Sequence, residues 1–145
     1  MKFRALDKKI SCWMERYGHR ILRYSLGLVF IWFGALKLIP GLSPAQELVE
    51  LTVPIGAWFV ILLGVWEIVI GLCLWWRPAL RVGIGLMALQ MMGTFLPLIF
   101  LSGLSWQSFG VPTLEGQYII KNVVLIGAAI VIGGTVGHKH KGELD

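Results

Sequence analysis

Residues 53–76, VPIGAWFVILLGVWEIVIGLCLWW, hold one charged side chain, Glu67, in a 24-residue run that is otherwise almost wholly apolar. A hydrocarbon core about 30 Å thick needs about 20 helical residues at about 1.5 Å each, so this stretch is long enough to cross a bilayer. Three others are comparable: residues 21–39, 82–101 and 114–136. The wider composition agrees. Hydrophobic residues make up 57% of the 145 and charged residues 14%, with a mean hydropathy of +0.76. Soluble domains run nearer about 45–50% and about 25%, so a soluble bundle of buried helices is the poorer reading. Strands are disfavoured because the runs lack period-two alternation and are too few to close a barrel. The expected fold is all-α, an integral membrane four-helix bundle forming a single membrane domain over residues 1–145.

Basic residues set the expected orientation. Lys2, Arg4, Lys8, Lys9, Arg16, Arg20 and Arg23 precede or open the first run. Arg77 and Arg81 lie between the second and third, and Lys139 and Lys141 follow the fourth. Only Lys37 and Lys121 of the thirteen fall elsewhere, and the connections 41–52 and 102–113 contain no Lys or Arg. The positive-inside rule then places both termini in the cytoplasm. The net charge of +5 reads as a topology signal and an attraction to anionic headgroups, with no nucleic-acid partner implied.

Residues 1–19 lack the apolar core of a secretory signal. Phe3, Leu6, Ile10, Trp13 and Tyr17 recur at helical spacing among basic residues, a pattern suited to an interfacial cytoplasmic helix; a disordered basic leader is the alternative. Residues 137–145 read as a polar cytoplasmic tail. Ser43, Pro44 and Gln46 carry a helix-start pattern, and Thr113 is placed to cap the fourth run with Glu115 in its first turn.

The chemistry-bearing residues are the polar ones inside apolar runs. Glu67 lies mid-run and costs about 2.5–3.5 kcal/mol to insert unless it faces the bundle and finds a partner. Gln90 falls at a similar depth, with Thr94 one turn on. Lys37 and Lys121, the latter beside Asn122, lie toward the outer ends of their runs. Either lysine is long enough to reach Glu67, directly or through water, or to snorkel to headgroups. Gly64 and Gly71 flank Glu67, and Gly27 and Gly34 precede Lys37 on a matching stripe, which reads first as helix packing. His19, His138 and His140 all sit at the cytoplasmic edge, and Cys12 and Cys73 form no C-x-x-C pair. No metal site, haem pair, phosphate loop or nucleophile motif is expected, nor any covalent cofactor.

Residues 23–37 (RYSLGLVFIWFGALK), the glycine-flanked Glu67 segment 64–71 (GVWEIVIG) and residues 114–122 (LEGQYIIKN), taken in order, resemble the DoxX/DoxD-like superfamily of small four-helix membrane proteins, most of all its YkgB/RclC-type branch. The resemblance implies a multi-pass protein of the bacterial inner membrane with both ends inside. It also implies an association with redox-stress defence and, in some relatives, with quinone-linked oxidation. The matching positions are Lys37, Glu67, Lys121 and Asn122. The expected function is therefore an accessory or binding subunit, more than a self-sufficient enzyme, with an outward-facing polar pocket for a quinone or other small ligand. Lys37, Glu67, Gln90, Thr94, Glu115, Lys121 and Asn122 are its candidate residues, and a redox partner protein or a second copy are candidate partners within the lipid bilayer. A small transporter or proton-coupled permeation element, and a structural membrane scaffold, are the alternatives.

Overall fold

The structure, a computed structural model, describes residues 2–43 and 46–136. The tail 137–145, with His138 and His140, and the helix-start pair Pro44–Ala45 lie outside them. Helix α1 runs unbroken over Lys2–Lys37, so the amphipathic stretch and the first apolar run are one continuous helix. The short α2 (Gln46–Thr52) follows, then α3 (Trp58–Trp75) and a 3-10 turn (Arg77–Ala79) leading into α4 (Leu80–Thr94). The chain continues through α5 (Leu96–Phe100) and α6 (Ser102–Ser105) into an antiparallel hairpin of β1 (Trp106–Ser108) and β2 (Val111–Pro112). Helices α7 (Leu114–Ile120) and α8 (Asn122–Gly134) complete the described chain.

Among the described residues, three helical stretches are long and apolar enough to cross a membrane: Trp58–Trp75, Arg77–Phe100 and Leu114–Gly134. The C-terminal half of α1 carries Arg20, Arg23 and Lys37 and is not among them. Among the described residues the fold is all-α apart from the small hairpin, and the apolar helices leave large side chains on the outside: Leu62, Leu72, Leu89, Met92, Val124 and Ile130 all stand exposed. Apolar side chains exposed in such number have no favourable partner in water and a ready one in lipid.

Helices α1 and α3 lie against each other along a glycine seam. A Cβ on Gly34 would come within 2.6 Å of the Gly64 carbonyl oxygen, and one on Gly64 within 2.7 Å of the Gly34 carbonyl oxygen. Two turns along, Gly71 meets the Gly27 carbonyl oxygen in the same way, at 2.6 Å. Seven-residue spacing on both helices keeps all four glycines on facing stripes, so the backbones approach more closely than any side chain would allow. Helices α4 and α8 close the bundle, and Leu26, Phe30, Ile70, Leu74, Leu80, Met87, Met91 and Ile132 fill its interior. One end of the bundle collects Tyr24, Trp75, Arg77, Thr135 and Val136. The opposite end carries α2, α5, α6 and the hairpin.

That opposite end is pinned by side-chain-to-backbone bonds. The fully buried Ser105 hydroxyl donates to the Pro97 carbonyl (3.1 Å), and the Trp106 indole donates to Leu98 (3.2 Å). Thr113 accepts from the Gly116 amide (3.1 Å) and donates to the Leu104 carbonyl (2.7 Å), capping α7 as the sequence predicts. Gly110, at φ 77°, supplies the left-handed residue that the hairpin tip requires. Thr113→Ala should lower stability by about 1 kcal/mol, the usual worth of an N-cap, read as a downward shift of the thermal midpoint in detergent.

Candidate functional site

Glu67 is buried near the middle of α3, with Gly64 one turn before it and Gly71 one turn after. The seam turns it toward α1, because a Cβ on Gly34 would lie 3.0 Å from the Glu67 Cβ. Gly64 in turn clears the way for the stem of Lys37: a Cβ there would lie 2.9 Å from the Lys37 Cβ. Lys37, the last residue of α1, lays its side chain across this gap and donates from Nζ to Glu67 Oε2 at 2.7 Å. From α4, Gln90 Nε2 donates to Glu67 Oε1 at 2.6 Å. One carboxylate thus ties three helices together, one donor to each oxygen. The Lys37 and Glu67 side chains are 9% and 10% exposed, so the pair is largely removed from solvent, where charge–charge and charge–dipole attraction is strong.

The same arrangement leaves a polar atom stranded. Gln90 Oε1 is buried and has no hydrogen-bond partner. Turning the amide over does not help, since that would aim an oxygen at a carboxylate and lose the bond to Glu67. A buried carbonyl without a donor costs about 1–3 kcal/mol, so it marks a place where a donor belongs. On the other oxygen of the same carboxylate, the Lys37 ammonium spends one N–H on Glu67 and has others to give.

The other expected site residues do not join this cluster. The Thr94 hydroxyl donates to the Gln90 main-chain carbonyl (3.0 Å), one turn back on its own helix, and supports α4 where it ends before Pro97. Glu115 stands exposed in the first turn of α7. Of the two lysines weighed as partners for Glu67, Lys121 does not reach it: it is exposed, and its ammonium lies 5.8 Å from the centroid of the Tyr118 ring. Tyr118 lies three residues back, in the last turn of α7, and the pairing is a weak cation–π contact at the surface. Asn122, the next residue, is half-buried on α8.

An apolar groove of about 190 Å³ runs between α4 and α8, walled by Ile84, Met87, Met91, Ile126, Ile130 and Gly133 among others. A second cleft, of about 240 Å³, opens at the Tyr24–Trp75 end and is lined by Arg77, Pro78, Leu80, Thr135 and Val136. None of the expected site residues lines either one. Sequence reasoning also missed Arg23. Counted only among the basic residues that set orientation, it is in fact 8% exposed and packs inward, three residues before the buried Leu26. Its place inside the apolar run 21–39, at i, i+3 and i+7 with Leu26 and Phe30, was the available signal.

The fold and this cluster define a small all-α protein of the membrane with a buried ion pair among its helices. Comparison with family models, curated proteins and solved structures returns no match for the chain.

Proposed function

We propose that the protein is a four-span subunit of the bacterial inner membrane, with both termini in the cytoplasm, that holds the headgroup of a quinone-class ligand at Lys37, Glu67 and Gln90. The observation that carries this reading is the stranded Gln90 Oε1, on a side chain that shares the Glu67 carboxylate with an ammonium that has N–H groups to spare. The reduced, quinol form of such a ligand matches that pair: its ring hydroxyl donates its O–H to Gln90 Oε1, and a hydroxyl oxygen accepts from Lys37 Nζ. Glu67 keeps both partners in place. The likeness of residues 23–37, 64–71 and 114–122 to DoxX/DoxD-like proteins belongs to the same reading, as does a role in redox-stress defence beside a partner that supplies electrons.

Mass spectrometry of lipophilic compounds extracted from protein purified in mild detergent tests it. Wild type and Lys121→Met should carry a near-stoichiometric quinone, and Lys37→Met and Glu67→Gln should have lost it. A folded wild type with no enriched compound sinks the reading. A second reading, a structural scaffold, is favoured by a specific observation: both Glu67 oxygens are already engaged by protein donors from two neighbouring helices. It expects Glu67→Gln to lower stability without changing any bound compound.

A further inference from the structure

The first half of α1 stands free of the bundle. Every described side chain from Arg4 to Ile21 is exposed, and the first buried residue of the helix is Arg23. Its apolar residues nevertheless keep one phase. Leu6, Ile10, Trp13, Met14, Tyr17 and Ile21 fall within an arc of about 100° at 3.6 residues per turn, the width of a face that buries itself against something. Trp13 and Tyr17 touch within it, with ring centroids 5.6 Å apart. Lys9, Arg16 and Arg20 border the stripe on one side. Over residues 4–20 five Lys and Arg stand against two acidic residues, Asp7 and Glu15, and none of them forms an ion pair among the described residues.

The phase of this stripe against the bundle says what covers it. Carried forward along α1, the same arc takes in Tyr24, Leu28 and Trp32, all exposed on the outer wall. Leu26, Phe30 and the seam glycines Gly27 and Gly34 lie round the helix from it, against the core and α3. The stripe is therefore in register with the wall that meets lipid. A helix α1 that crosses the bilayer and keeps one axis carries the stripe about 30 Å out into water. If the helix instead bends outward at the headgroups, that face becomes the inside of the elbow and lies flat on the leaflet. Gly18 stands where the elbow falls. It is inside the helix, and a Cβ there meets nothing within 4 Å, so packing does not account for a residue that weakens the helix.

The geometry points to a membrane-docking arm: residues 4–21 bend away from the bundle near Gly18 and lay their stripe on the anionic lipid of the adjoining leaflet. The apolar side chains enter the headgroup boundary, and Lys9, Arg16 and Arg20 at its border meet lipid phosphates. A second copy is the poorer occupant, because it brings the same surplus of positive charge to the contact. An acidic protein would answer the charge but leave the shared phase with the lipid-facing wall unexplained. The proposal rests on α1 crossing the bilayer and is independent of any ligand at Glu67.

The test uses the full chain in nanodiscs of phosphatidylcholine alone or mixed with phosphatidylglycerol, with Cys12→Ser and Cys73→Ala removing the native thiols. Spin labels are placed at Ile10→Cys on the stripe and at Lys8→Cys on the opposite face. Their collisions with oxygen, which enters lipid, and with a nickel chelate, which stays in water, report depth. With phosphatidylglycerol the Ile10→Cys label should lie about 5–10 Å below the headgroup surface and the Lys8→Cys label in water. Arg16→Gln and Arg20→Gln should each lower the docked-to-free ratio by about fivefold. Gly18→Ala should lower it by a similar factor, because alanine favours the unbent helix. An Ile10→Cys label in water with phosphatidylglycerol present overturns the proposal and leaves the stripe to an acidic protein. Equal immersion in the two lipids overturns it as well. So does dipolar broadening between labels in discs that hold two copies, which would assign the stripe to a second copy. Undiminished docking in Gly18→Ala removes the bend from Gly18. Lys37→Met should dock its arm as wild type does even where it has lost its quinone, so failure at one site is distinguishable from failure at the other.

Discussion

Glu67→Leu should destabilise the protein by about 3–5 kcal/mol, because it strands two donors at once. The Lys37 amine would be left in a largely solvent-free setting with no acceptor, and the Gln90 amide would lose the side-chain partner it has there. The effect should be seen as a lowered midpoint in denaturant or thermal titrations of the detergent-solubilised protein. Pairing it with Lys37→Met should recover most of the loss, since replacing both partners of a buried ion pair by apolar side chains is often neutral or favourable. A double-mutant cycle reports the difference as a coupling energy. A single-mutant cost under about 1 kcal/mol would mean that water reaches the pair, and the tight three-helix cluster would then be the wrong description.

Gly64→Leu should be nearly as damaging, at about 3 kcal/mol, for a different reason. The new side chain would start 2.7 Å from the Gly34 carbonyl oxygen and 2.9 Å from the Lys37 Cβ. Backbone on one side and the stem of Lys37 on the other leave no cheap relaxation except parting α1 from α3. That separation also pulls Nζ from the carboxylate, so the stability loss should be accompanied by loss of coupling between Lys37 and Glu67. Gly127 is the control: a Cβ there meets nothing within 4 Å, so Gly127→Ala should be neutral or slightly stabilising through better helix propensity. Equal responses at the two positions would remove the seam from the account of the fold.

Much of this molecule is legible one segment at a time. The apolar runs, the charges that interrupt them, the Thr113 cap and the glycine spacing are local properties, and helical geometry turns each into a face or an end. Gly27, Gly34, Gly64 and Gly71 read as a packing stripe from spacing alone, and they pack that way. Gln90 could be matched in depth to Glu67 because the antiparallel run of neighbouring helices fixes relative height, and the two side chains meet at 2.6 Å. Depth is what a hydropathy pattern measures best.

Lateral neighbourhood is another matter. Lys37 and Lys121 are equivalent in depth and chemistry, and only one of them reaches Glu67. The difference lies in what stands beside each. The Lys37 stem passes over Gly64, where the absent side chain leaves it room. Lys121, just past the end of α7, projects outward over Tyr118. Arg23 shows the same limit from the other side, because its charge argued for an exposed end while its helical phase carried it inward. Hydropathy, charge placement and glycine spacing, each a property of nearby residues, were enough for an all-α membrane protein with an acidic residue that needs a partner. Which lysine meets that residue, which arginine is buried and which amide oxygen is stranded were decided by how the helices rotate against one another, and that rotation arises only when their side chains interlock.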